Sequence, residues 1–87
     1  GFPKFFTPNG DTINDYWQFI QPKGSEKVIL QSIRIFDRYG KFLKEISQNS
    51  QGWDGNMAGR RPPSGEYWFL AIDNSNREIK GHFTLKR

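Results

Sequence analysis

Turn-forming residues break this chain at short, regular intervals, and that spacing constrains the fold more than any other feature. They fall at Pro8-Asn9-Gly10-Asp11, Gln21-Pro22-Lys23-Gly24, Asp37-Arg38-Tyr39-Gly40, Gln51-Gly52, Asp54-Gly55, Pro62-Pro63-Ser64-Gly65 and Asn74-Ser75-Asn76. The segments between them, Phe2–Phe6, Tyr16–Ile20, Val28–Phe36, Lys41–Ile46, Glu66–Asp73 and Glu78–Lys86, are rich in β-branched and aromatic residues. No segment keeps a helical period over ten residues, whereas period-2 alternation recurs. Ile79, Gly81, Phe83 and Leu85 share one face of the last segment, and Lys80, His82, Thr84 and Lys86 the other. Tyr67–Ile72 is apolar on both faces, as in a central or doubly covered strand. Asp37–Gly40 is expected to close one hairpin and Asn74–Arg77 another. The pattern predicts an all-β, immunoglobulin-like sandwich of six or seven mostly antiparallel strands in two facing sheets.

The 87 residues suffice for one domain, and the core has to be built economically. Hydrophobic residues are 34% of the chain, yet 8 Phe, 3 Trp and 3 Tyr are among them. Each buried ring removes about 150–250 Å² from water, so a few of them serve as a core. The last strand residues, Phe83-Thr84-Leu85-Lys86-Arg87, leave no polar tail, so this strand is expected to pair almost to its end and to present a readable edge.

The same composition narrows function. No window approaches the ~18 apolar residues of a membrane-spanning helix, so direct membrane insertion is not expected. Without cysteine there is no thiol nucleophile, disulfide framework or thiolate metal site. One histidine excludes most metal triads and Ser-His-Asp schemes, and no carboxylate pair stands in a context that would separate two pKa values. An enzyme and a cofactor are therefore not expected. The net charge of +4 and pI of about 9.6 come from cations spread along the chain, apart from Arg60-Arg61 and Lys86-Arg87. This suits an anionic partner better than nucleic acid, and a monomer is expected.

Several motifs have both a structural and a functional reading. Asn9, Asp11, Asn14 and Asp15 crowd side-chain oxygens into one loop, with Asn9, Asp11 and Asp15 as weak Ca²⁺ candidates. The EF-hand spacing fails at Ile13, so Pro8-Asn9-Gly10-Asp11 is preferred as a turn with Asp11, Asn14 and Asp15 as backbone caps, and no metal site is assigned. Trp53-Asp54-Gly55 either stacks a sugar on its indole or, preferably, plugs one end of the sandwich while Asp54 satisfies loop amides. Arg60-Arg61-Pro62-Pro63-Ser64-Gly65 either holds a phosphate or carboxylate between its guanidiniums or, preferably, is simply a soluble, rigid loop leading into the next strand. His82 faces outward by alternation and is read as surface.

Taken in order, Phe2-Pro3-Lys4-Phe5-Phe6-Thr7-Pro8-Asn9-Gly10-Asp11, Asn14-Asp15-Tyr16-Trp17, Ile33-Arg34-Ile35-Phe36-Asp37-Arg38-Tyr39-Gly40-Lys41, Gly52-Trp53-Asp54-Gly55-Asn56, Pro63-Ser64-Gly65-Glu66-Tyr67-Trp68-Phe69 and Gly81–Arg87 closely resemble the gliding-motility-associated C-terminal domain, the type B sorting domain of the type IX secretion system in Bacteroidota. Thr12 stands where that family's loop usually has a second glycine. The resemblance implies that residues 1–87 form a single module at the C-terminus of a larger secreted or surface protein. Such a module directs a folded periplasmic cargo through the outer-membrane translocon to the cell surface or medium. It also implies shuttle or attachment partners of the PorP/SprF kind. Joined to the charge pattern, it nominates Lys80, Leu85, Lys86, Arg87, Arg60 and Arg61 as the partner-reading residues. A carbohydrate-binding or surface-anchoring β-sandwich, with Trp17, Trp53 and Trp68 as candidate platforms, is the alternative.

Overall fold

A computed structural model describes residues 1–8, 10, 15–21, 28–57 and 60–87. Five strands are present among them: β1 (Phe5–Phe6), β2 (Leu30–Phe36), β3 (Phe42–Ile46), β4 (Gly65–Asp73) and β5 (Glu78–Leu85). They form one sheet in the order β1-β5-β4-β2-β3, antiparallel except for the β1–β5 pair. The all-β class holds, but the strands are fewer than the six or seven expected, and one sheet stands where two were anticipated. The Tyr16–Ile20 segment makes only an isolated bridge, Trp17 with Trp53. Its other backbone bonds are dispersed: the Gln18 side-chain carbonyl accepts from the Phe19 amide at 2.8 Å, a bond that competes with a ladder, and the Ile20 amide donates to the Gly1 carbonyl at 2.8 Å.

Both expected hairpins form, and they use the same five-residue turn. In Asp37–Lys41 the first residue's amide donates to the Lys41 carbonyl and the Gly40 amide to the Asp37 carbonyl, each at 3.0 Å. The Asp37 carboxylate accepts from the Tyr39 and Lys41 amides, both at 2.9 Å. Asp73–Arg77 repeats this, with Asp73 accepting from the Ser75 and Arg77 amides. The fourth residue is left-handed in both, Gly40 at φ 82° and Asn76 at φ 63°, where glycine and asparagine are tolerated best.

The second layer is a pair of bridged segments laid on one face of the sheet. Trp17 and Trp53 exchange backbone hydrogen bonds at 2.9 Å, and their indole N–H groups donate to the Pro3 and Asn56 carbonyls, also at 2.9 Å. Beneath them Trp17 stacks on Phe83 with centroids 4.3 Å apart, and Phe2 on Phe69 at 4.2 Å. Phe6, Ile33, Ile35, Ala71 and Leu85 complete the buried centre. Gly52 permits the bridge, because a Cβ there would lie 2.5 Å from the Trp17 carbonyl oxygen. β4 is third of five strands, as its apolar faces predict. Its second face is nevertheless open among the described residues: Trp68 is 44% exposed, and Phe42 and Phe5 are about as accessible.

Candidate functional site

The antiparallel register gathers most of the nominated residues at one end of the sheet. Gly65 at the start of β4 lies opposite Leu85 at the end of β5, and Phe36, next to the Asp37–Lys41 turn, lies opposite Trp68. The chain's last residues, the 60–65 loop and the β2–β3 turn therefore meet. Lys80 is the exception, since it sits mid-strand opposite Leu70 on the open face.

The end of β5 is not a free edge, which corrects the expected one. Beyond its β4 pairing, the Thr84 amide donates to the Lys4 carbonyl at 2.8 Å and the Lys86 amide to the Phe6 carbonyl at 3.0 Å. β1 thus closes the end of β5. Among the described residues the free edge lies earlier, because the even-numbered residues that face β1 at Thr84 and Lys86 also turn the Lys80 and His82 backbones away from β4. Leu85 is fully buried and contributes packing, not a contact surface.

The nominated cations differ in how their charges are engaged. Lys80 Nζ is 3.7 Å from a Glu78 carboxylate oxygen, and Lys86 Nζ lies 5.2 Å from the Phe5 ring centroid. Arg87 is a staple: its Nε donates to the Pro62 carbonyl at 2.9 Å, its Nη2 to the Gly55 carbonyl at 2.6 Å, and its amide to Ser64 Oγ at 2.9 Å. Arg60 and Arg61 are exposed and form no ion pair among the described residues. Arg60 is fixed through its backbone by a reciprocal bridge to Met57.

Arg60 and Arg61 line a groove of about 370 Å³ together with Pro62, Pro63, Ser64 and Met57 on one side and Arg38, Tyr39 and Leu43 on the other. Tyr67 lies between the two walls, and its hydroxyl donates to the Pro63 carbonyl at 2.6 Å. Burial pushes its phenol pKa up, with the Arg87 charge opposing. Arg38, Tyr39 and Tyr67 were missing from the sequence reading of this site. The signal that places them is the β2–β4 pairing, which is non-local and invisible to hairpin logic.

In the remaining motifs the described carboxylates accept from loop amides. Asp54 Oδ1 accepts from the Asn56 amide at 2.9 Å, and Asp15 Oδ1 from the Gly10 amide at 3.1 Å. Gly55 is buried, with Pro8 and Leu85 within contact of the position its Cβ would take. Asn9, Asp11 and Asn14 lie outside the described residues, and with them most of the Ca²⁺ candidate. Trp17 and Trp53 are fully buried and are removed as sugar platforms, which leaves Trp68. His82 is outward, as alternation predicts, with Nδ1 3.6 Å from a Glu66 carboxylate oxygen.

Neither the curated proteins nor the solved structures include a match to this chain. A family model described as the CHU_C Type IX secretion signal domain matches residues 1–85, ending on the last residue of β5, so the chain belongs to that family of type IX secretion sorting signals.

Proposed function

We propose that residues 1–87 form one non-catalytic C-terminal module that takes a folded periplasmic cargo through the type IX outer-membrane translocon to the cell surface or medium. The family match over residues 1–85 is the observation that supports this most. A tag for folded cargo has to be compact and to present a fixed surface, and the end of the sheet offers one. In this reading Arg60 and Arg61 make the principal partner contacts and Lys86 adds charge. Leu85 and Arg87 hold the surface in place, and Lys80 marks a second, weaker contact on the open face. Shuttle or attachment proteins of the PorP/SprF kind are the partners proposed. A carbohydrate-binding role would need its tryptophan platforms exposed, and Trp17 and Trp53 are buried, which leaves Trp68 alone of the three.

The test fuses residues 1–87 to a periplasm-targeted fluorescent protein in a strain with a working type IX system. Fluorescence is expected on the surface or in the medium, and only while the translocon functions. Retention of a folded, intact fusion in the periplasm would overturn the proposal.

A further inference from the structure

We propose that the groove between the Asp37–Lys41 turn and the Arg60–Ser64 loop docks an extended, acidic peptide segment of a partner protein. The biological partner rests on the sorting reading above; the chemistry of the groove does not.

Charge supplies the first argument. Arg38, Arg60 and Arg61 line the groove with two carboxylates, those of Asp37 and Glu66. The Asp37 carboxylate is engaged by the Tyr39 and Lys41 amides, and Glu66 Oε1 faces His82. No ion pair among the described residues neutralises any of the three guanidiniums. Arg38 lies over the neighbouring Tyr39 ring, its guanidinium carbon 5.0 Å from the centroid. Guanidiniums grip carboxylates through paired N–H donors, so a carboxylate-bearing ligand fits this set.

Shape supplies the second argument and separates a peptide from a small anion. About 370 Å³ is far more than one carboxylate or phosphate fills, and it lies within the usual range of ligand sites. Tyr39 and Pro63, both exposed, provide flat apolar walls of the kind against which extended peptides lie. The walls are also held before any ligand arrives. Tyr67 fixes the Pro63 carbonyl, the Met57–Arg60 bridge fixes the base of the loop, and Arg87 fixes the Pro62 carbonyl. A preformed groove keeps the ordering cost of binding low.

Fluorescence anisotropy with a fluorescein-labelled octapeptide of alternating Glu and Ala tests this. Saturable binding that weakens as salt rises is expected, with no comparable binding of the Gln–Ala peptide. The R38Q/R60Q/R61Q variant should weaken binding by about tenfold or more, the loss of at least one charge-assisted contact, at an unchanged melting temperature. The charge-matched K4Q/R34Q/K44Q variant should stay within about twofold, since those charges lie outside the groove and act only through screened long-range attraction. Equal losses in the two variants, equal binding of the Gln–Ala peptide, or displacement by glutarate or inorganic phosphate at the peptide's own concentration would overturn the proposal. The export assay separates the two ideas. If the wild-type fusion stays in the periplasm, the sorting reading fails and the binding result decides the groove. If wild type and R38Q/R60Q/R61Q are exported alike, sorting stands and the groove has no part in it.

Discussion

Arg87→Ala is the perturbation that separates a structural from a recognition role for the chain's last residue. Its guanidinium makes two bonds to carbonyls, at 2.9 Å to Pro62 and 2.6 Å to Gly55, while the amide bond to Ser64 Oγ survives the substitution. A hydrogen bond to a charged group contributes about 1.5–3 kcal/mol when buried. Arg87 is exposed, so solvent reduces each bond to about 1 kcal/mol or less, and the pair to roughly 1–2 kcal/mol. For a domain of this size that lowers the midpoint by roughly 5–10 °C, readable by calorimetry or near-ultraviolet circular dichroism. Lys86→Ala is the control. It removes only an exposed cation–ring contact, about 0.5–1 kcal/mol, and should cost about half as much. Arg87→Lys should fall between, because one ammonium replaces a two-pronged fork. Equal midpoints for R87A and K86A would refute the staple. So would an R87A protein that keeps its stability and loses export, which would make Arg87 a direct partner contact.

Further outcomes follow from other parts of the molecule. The Asp73 carboxyl is held below the usual carboxylate range, chiefly by the Arg77 amide, with burial opposing and the Ser75 amide and Arg77 guanidinium adding. Its stabilisation is therefore complete above about pH 4 and is lost as pH falls through the lower folded-state value. Asp73→Asn should flatten the acid limb of the stability profile measured by urea denaturation, and an unchanged limb would contradict this. Gly52→Ala should cost about 1–3 kcal/mol from its φ of 106° alone, with more from the Trp17 carbonyl; a melting midpoint equal to wild type would exclude the close approach. Acrylamide should quench one tryptophan readily, and Trp68→Phe should abolish that accessible fraction while moving the midpoint little. A quenchable fraction that persists in W68F would show Trp17 or Trp53 to be accessible.

The local features were the legible ones. Asp37–Gly40 and Asn74–Arg77 announce hairpins through residue types that tolerate left-handed backbone, and the alternation in Glu78–Lys86 gives the correct inner face. Within the Trp53 motif, the plug was also readable, because Gly52 and Gly55 bracket a ring that has nowhere polar to go. What escaped was non-local. The partnership of β2 with β4 brings Arg38 and Tyr39 beside Arg60 and Arg61, and no spacing along the chain encodes it. The β1–β5 pairing covers an end that the sequence offered as an edge, since Phe2–Phe6 reads as a strand-like segment but nothing in its spacing announces a parallel partner about eighty residues on. Tyr16–Ile20 has strand composition, yet Gln18 diverts its backbone. The shared Asp-x-x-Gly/Asn-Lys/Arg turn was present at Asp37–Lys41 and Asp73–Arg77, and reading it at both sites would have given Asp73 its capping role.

The central claim is that this folded module is itself a sufficient export signal, and fractionated export of the reporter fusion measures it most directly. Three proteins are compared at equal expression: the wild-type fusion, the reporter alone, and a fusion whose core is broken by Trp17→Ala and Trp53→Ala. Losing two buried tryptophans costs several kcal/mol each, enough to unfold so small a domain. The account predicts reporter outside the cell for the wild-type fusion alone, and none when the translocon is disabled. Wild-type fusion retained in the periplasm, or export that persists without the translocon, would contradict it.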